Sequence, residues 1–311
     1  MNNTKIVFFI LLIIGNNTNT VSFKIPEFKK ITGMFKKNKA EKIIEKEYPI
    51  NNIDTLQISN NHGDITVTSE WEQPIVRVKA TIKAAKEDDL EPVTINSAQH
   101  RNNLTLSSNA PADKGYQVDY ELMIPKKINL ALMTHNGNMS ITESSGTVHA
   151  QTLKGNITIA HSKKSINAQT NHRGNIAIND AQGAVKAYAK KGNISIANAN
   201  SSISAHTENG IVRTAHSSIP QKSTIDLESD YGNVFVALPA STNANVYAKT
   251  DHGRITSDHF VTLKSQTTKL DPKSWSRFKK EVDGTIGLGQ ASIQVNCKNG
   301  TIKFLDNSVT S

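Results

Sequence analysis

The sequence predicts an all-β fold, a parallel β-solenoid with coils of about 18–19 residues, and three observations predict it. Glycines recur at Gly137, Gly155, Gly174, Gly192 and Gly210, at steps of 18, 19, 18 and 18 along the chain, and a period this regular means stacked coils. The first four are followed by one pattern: Asn138-Met139-Ser140-Ile141, Asn156-Ile157-Thr158-Ile159, Asn175-Ile176-Ala177-Ile178 and Asn193-Ile194-Ser195-Ile196. Such alternation is a half-buried strand with two residues pointing inward. A second strand then repeats as Val148-His149-Ala150, Ile166-Asn167-Ala168, Val185-Lys186-Ala187 and Ile203-Ser204-Ala205, with its middle residue facing water. Only 5% of residues are aromatic, which suits a thin repetitive core and not a large globular one.

In chain order, residues 1–20 read as a signal peptide: Lys5, an apolar run from Ile6 to Ile14, then polar residues to Thr20. Nine apolar residues are too few to span a bilayer, so export is expected, to the periplasm, cell envelope or cell surface. Residues 21–52 read as a basic linker with helical potential. Eight lysines between residues 24 and 46 face Glu27, Glu41 and Glu45, a net +5 of the whole chain's +9. Phe28, Ile31 and Phe35, interleaved with Lys29, Lys30, Lys36 and Lys37, would form one side of an amphipathic helix on an anionic membrane surface. A solvated linker is the favoured alternative, because charge runs are usually just soluble.

Residues 53–306 form the predicted solenoid, and 307–311 a tail. Outside the regular block the glycine-led strand recurs at Gly63-Asp64-Ile65, Gly232-Asn233-Val234, Gly253-Arg254-Ile255 and Gly300-Thr301-Ile302. Longer strands near Val76–Ile82 and Val118–Ile124 suit a cap, which a repeat stack needs to hide its open end. Residues 264–281, with Pro272, Trp275 and Phe278, break the rhythm and read as an excursion packing back on a flank.

Within the coils, glycine suits the corners because it accepts positive φ. The column Asn138, Asn156, Asn175, Asn193 places amides one strand spacing apart, where each can hydrogen-bond the next. The glycosylation sequons at Asn138, Asn156 and Asn193 are by-products of turn chemistry on this reading.

These features together resemble DUF4097, the adhesin-like bacterial family of β-strand-repeat proteins. The matching segments are Leu56 through Val67, Tyr120-Glu-Leu-Met-Ile-Pro125, the Gly-Asn-Ile repeats, Gly289 through Val295, and Asn299-Gly-Thr-Ile. The resemblance implies a right-handed parallel β-helix in a cell-envelope protein, and it names no receptor. One departure is that Asn or Thr often stands after the glycine where the family tends to carry Asp.

Chemistry is sparse. Sugar-cleaving β-helices need paired carboxylates, and between residues 131 and 215 only Glu143, Asp180 and Glu208 occur, in what read as different columns. Asp226 with Glu228, and Asp251 with Asp258, read as solvated acids on strands and turns. His135 and His172 share an offset from the glycines but are two coils apart, about 9–10 Å, too far for one zinc. His206 falls in the column of Gln151, Gln169 and Tyr188, without a histidine neighbour. Cys297, the only cysteine, cannot form an internal disulfide and sits in a predicted strand. The pI of about 9.4 raises nucleic acid as a partner, but arginine is scarce and aromatics are not interleaved with the basic residues.

The expectation is a non-catalytic binding scaffold, adhesin-like, with no cofactor and no metal, presenting polar columns to an extended glycan, peptide or envelope protein. A membrane-associated envelope-stress component held on anionic lipid by residues 24–46 is the first alternative, and a polysaccharide-active β-helix enzyme the second.

Overall fold

The computed structural model describes residues 40–50, 53–109, 115–264 and 280–307. They form two long sheets, one of 12 strands and one of 13, with parallel strands through the body. Ten coils contribute one strand to each sheet, and they are numbered here in spatial order. Coil 1 is Asn103–Asn109 with Gln117–Pro125, coil 2 Thr55–His62 with Ile65–Trp71, and coil 3 Asn129–Asn136 with Met139–Thr142. Coil 4 is Val148–Lys154 with Ile157–Ser162, coil 5 Ile166–Arg173 with Ile176–Ala181, and coil 6 Val185–Lys191 with Ile194–Ala197. Coil 7 is Ile203–Asn209 with Val212–Ala215, and coil 8 Thr224–Tyr231 with Val234–Leu238. Coil 9 is Ala291–Asn299 with Ile302–Asp306, and coil 10 Ala244–His252 with Ile255–Ser257.

The register follows the repeat. Ile157 pairs with Met139 on one side and Ile176 on the other, and Val148 with Leu130 and Ile166. Every second side chain therefore points between the sheets, and Ile157, Ile159, Ile176, Ile178, Ile194 and Ile196 are buried in one continuous core. The one longer step in the regular block has a local cause: the pairing of coils 4 and 5 shifts between Thr152–Thr170 and Lys154–Arg173, so the extra residue is a bulge on coil 5.

Space demands the glycines as much as backbone angle does. A Cβ on Gly155 would lie 1.8 Å from Gly137 O, and one on Gly174 1.7 Å from Gly155 O, because the glycine corners stack carbonyl to Cα. Their φ values of 151° and 156° add to the restriction.

Chain order and spatial order part at both ends. Coil 2 comes first in sequence but lies between coil 1 and coil 3, while coil 9 comes last but lies between coils 8 and 10. Antiparallel strands then close the stack. Ile75–Ala84 pairs with Gln117–Pro125, and Thr94–His100 with Asn103–Asn109. At the other end Glu281–Ile286 pairs with Ala244–His252 and is itself paired by Thr262–Leu263.

The start of the domain needs correction. Residues 40–49, placed by sequence in the 21–52 linker with helical potential, form the strand Ala40–Pro49, antiparallel to Ile75–Ala84 from Ala40↔Ala84 to Pro49↔Ile75. Ala40, Lys42, Ile44 and Tyr48 are its less exposed positions, a period of two that the lysine count hides. Lys46 donates to Ile95 O at 3.1 Å, so part of the basic run belongs to the folded body. The candidate membrane-contact residues Phe28, Lys29, Lys30, Ile31, Phe35, Lys36 and Lys37, the signal segment and most of 264–281 lie outside the described residues.

Candidate binding face and the His206 cluster

Two polar rails hold the coils in register, and only the first is plain in the glycine motif. In the asparagine column each side-chain oxygen accepts the backbone N–H of the next coil. Asn156 N donates to Asn138 Oδ1 at 2.9 Å, Asn175 N to Asn156 Oδ1 at 2.9 Å, Asn193 N to Asn175 Oδ1 at 2.8 Å, and Ile211 N to Asn193 Oδ1 at 2.8 Å. The contact expected between neighbouring amides is present at 3.4 Å from Asn175 Nδ2 to Asn156 Oδ1, and it is secondary to the backbone bonds. An acid serves equally: Asp64 Oδ1 accepts from Asn138 N at 2.8 Å, and Asp119 Oδ1 from Asp64 N at 2.8 Å. Asn after the glycine thus keeps the acceptor that an Asp would provide.

The second rail runs inside the solenoid, three residues before most of the glycines. Thr152 Oγ1 donates to Gly137 O at 3.2 Å, Thr207 to Gly192 O at 2.8 Å, Ser229 to Gly210 O at 3.0 Å, and Thr250 to Gly300 O at 2.9 Å. These bonds satisfy hydroxyls buried at the core's edge. Cys297 belongs to the same rail, with its Sγ 3.1 Å from Gly232 O. Burial pushes its thiol pKa up, the opposite of what a nucleophile needs. The sequence signal is a small hydroxyl residue at a fixed offset from glycine.

Outward, the 13-stranded sheet presents flat polar columns. One contains Gln151, Gln169, Tyr188, His206, Glu228 and Asn296, each opposite the next across adjacent strands. On the 12-stranded sheet the matching column is small in coils 3 to 6, with Ser140, Thr158, Ala177 and Ser195, and large beyond them, with Arg213, Phe235 and Lys303.

Titratable groups converge twice, once beside each sheet. The first convergence corrects the separation of Glu143 and Asp180 into different columns. Both stand six residues after their glycine, with His161 at the same offset in the coil between them. All three have positive φ, 60° at Glu143, 55° at His161 and 54° at Asp180, and His161 Nδ1 lies 2.8 Å from Asp180 Oδ2.

The second convergence lies on coils 7 to 9. His206 is directly opposite Glu228, and Asp230 is two residues further along the same face. Donor atoms of His206, Glu228 and Asp230 all lie within 4.8 Å of one another. His206 Nε2 is shielded from solvent without a hydrogen-bond partner, 3.8 Å from Asp230 Oδ1. Tyr188 packs edge-on against the imidazole at 5.6 Å between centroids and donates to Glu208 Oε1 at 2.5 Å. That bond, ahead of burial, pushes the Tyr188 hydroxyl up to about 12. Lys298, on coil 9, places Nζ 2.8 Å from Asp230 Oδ1, and this carboxylate raises the lysine's pKa.

The sequence conceals this second cluster because the step from Gly210 to Gly232 is 22, beyond the regular period. Alignment of those two glycines would have found it, since His206 and Glu228 each stand four residues before one. Of the other acids, Asp226 faces Gln294 and Ser204 across the strands, Glu228 joins the His206 cluster, and Asp258 lies 3.9 Å from Lys303.

Fold and surface together define the class: a repeat scaffold of stacked parallel coils, locked inside by polar rails and displaying a long polar face. The chain belongs to the DUF4097 family, described as Toastrack, whose model matches residues 53–304. No curated protein matches it. Solved structures similar to it include a "putative adhesin" from Bacteroides fragilis NCTC 9343, with 13% identity, TM-score 0.46, and coverage of 85% of this chain and 97% of that one. Another "putative adhesin", from Parabacteroides distasonis ATCC 8503, has 12% identity, TM-score 0.38, and coverage of 85% and 97%. A "putative cell adhesion protein" from Clostridium sporogenes ATCC 15579 has 13% identity, TM-score 0.30, and coverage of 86% and 100%.

Proposed function

We propose that this protein is a non-catalytic, exported binding scaffold whose 13-stranded sheet lays its outer face along an extended polymer, a glycan or a peptide, at the cell surface. One observation carries this reading: the outward columns stay in register through ten coils, a flat track about 43 Å long at the strand spacing of parallel sheets, polar from Gln151 to Asn296 and apolar at Met133 in coil 3. A track of repeated, shallow, similar positions suits a ligand that itself repeats. It suits a compact small molecule poorly, since small-molecule sites are concave and mostly apolar.

The test uses the full chain against a panel of neutral and acidic polysaccharides and extended peptides, with Gln169→Arg in the track and Thr158→Arg on the opposite sheet. Retention of a panel member by the wild type and by Thr158→Arg, but not by Gln169→Arg at an unchanged melting temperature, supports the track. Equal binding by both variants, or binding to nothing in the panel, overturns it. New reducing or unsaturated ends in the bound polysaccharide would transfer the protein to the enzymes. Surface placement is checked by protease shaving of intact cells, where protection of the body would place it inside the envelope.

A further inference from the structure

From the His206 cluster we infer that coils 7 and 8 carry a divalent transition-metal site, with His206, Glu228 and Asp230 as its protein ligands and zinc as the fitting ion. The site goes beyond the polymer track and stands without it.

Parallel pairing builds the geometry. Residues opposite each other on adjacent strands are about 4.8 Å apart, and residues two apart on one strand share a face at about 6.6 Å. His206, Glu228 and Asp230 therefore occupy three corners of one cell of the sheet, and their side chains rise from a rigid base. Their donor atoms already lie within 4.8 Å of one another, so small χ rotations bring them onto a centre with bonds of about 2.0–2.2 Å.

The donor set selects the ion. One imidazole with two carboxylates suits zinc and its borderline neighbours, while calcium and magnesium prefer oxygen alone. The imidazole nitrogen facing Asp230 has no hydrogen bond to give up, which removes one cost of metal binding. Tyr188 sets the ring's orientation from the side and ties Glu208 away from the centre. Lys298 is the competitor. It holds Asp230 Oδ1 at 2.8 Å, but its side chain is exposed and can swing into solvent when a cation arrives. The ammonium is solvated although Asp230 is mostly covered, so the pair is released at modest cost when an arriving cation takes the lysine's place.

Metal-free full-length protein is titrated with Zn²⁺ alone in competition with a chromophoric chelator, alongside Ca²⁺. Melting temperatures of the metal-free variants confirm that each is folded. One zinc per chain is expected, with His206→Gln and Asp230→Asn each weakening it at least about tenfold. Lys298→Met should tighten zinc by about two- to fivefold, the reach of an ion pair open to solvent on its lysine side. That gain cannot arise from a damaged fold. Zinc affinity unchanged by His206→Gln, lowered by Lys298→Met, or matched by calcium would overturn the site.

Discussion

The middle of the solenoid and its two ends are made from the same coil but held by different means. Coils 3 to 8 stack on one another in the order in which they are synthesised, each a single repeat from the next in sequence. At the ends the chain leaves the stack and returns. Coil 2 pairs with coil 3 at Leu56↔Leu130, and coil 9 with coil 8 at Val234↔Ile302, contacts that span several repeats of chain. The middle thus needs only local contacts, which form quickly, while the ends depend on distant pairings that close long loops. In return, the first and last coils of the described chain sit inside the stack and cannot fray as terminal repeats do. The outermost positions go to coils 1 and 10; antiparallel strands cover coil 1 in both sheets and coil 10 in the 13-stranded sheet.

The sharpest way to break this contrast is to add one methyl group to a glycine corner in each region. On Gly174, in the middle, a Cβ meets Gly155 O at 1.7 Å, with coils packed above and below. On Gly253, in coil 10, it meets Gly300 O at 1.9 Å, but among the described residues coil 10 is the last of the 12-stranded sheet and can lift away. Gly174→Ala should therefore cost more than about 4 kcal/mol, and Gly253→Ala about 1–3 kcal/mol. Urea unfolding of both variants checks the difference. Equal losses would mean that coil 10 is held as rigidly as coil 5.

A smaller effect separates coils within the middle. The corner after the 12-stranded sheet buries Ser144, Ser162, Ala181 and Ala199 in coils 3 to 6, but His216 in coil 7. Burial pushes His216 down to about 4 from its usual 6.5, against a weaker opposite pull from the backbone of Ala199. The unfolded chain thus takes up a proton below pH 6.5 that the folded protein refuses until about pH 4. Stability from this group is complete above pH 6.5, falls as the pH drops through that window, and levels off below pH 4. The loss amounts to about 3 kcal/mol. Replacing His216 by Leu should flatten this part of the stability profile relative to wild type. If the two profiles stay parallel between pH 6.5 and 4, His216 is not what titrates.

Legibility in the sequence followed the same division. Where the period is 18 or 19, identical offsets from glycine revealed the strands, the inward Ile pairs and the asparagine column. Where it lengthens to 22, a fixed period misses the step from His206 to Glu228, and only aligning Gly210 with Gly232 brings together the donors that converge there. The Ala40–Pro49 strand was hidden differently, because Lys42 and Lys46 occupy positions whose long stems lie against the sheet while their charge marks them as linker. The threading of coils 2 and 9 into the stack leaves no local trace at all, since any coil's inward Ile and Val pattern fits any other.

The smallest effect would sharpen what the asparagine rail contributes. It runs from Asp119 through Asp64 and four asparagines to Ile211, whose side chain has no acceptor to offer coil 8, and resumes where Thr301 N donates to Asn233 Oδ1 at 2.8 Å. Ile211 is half-buried and follows Gly210 as each asparagine follows its own glycine. Ile211→Asn would place an acceptor one strand spacing below the Asn233 N–H, completing the rail between middle and end. The new bond is worth about 0.5–1.5 kcal/mol. The lost isoleucine contact returns part of that, because the removed surface was partly solvated already. A net gain of a few tenths to about 1 kcal/mol in urea unfolding is expected. A loss would show that at this corner apolar packing outweighs the ladder, and that the break at Ile211 is where the regular stack gives way to its end.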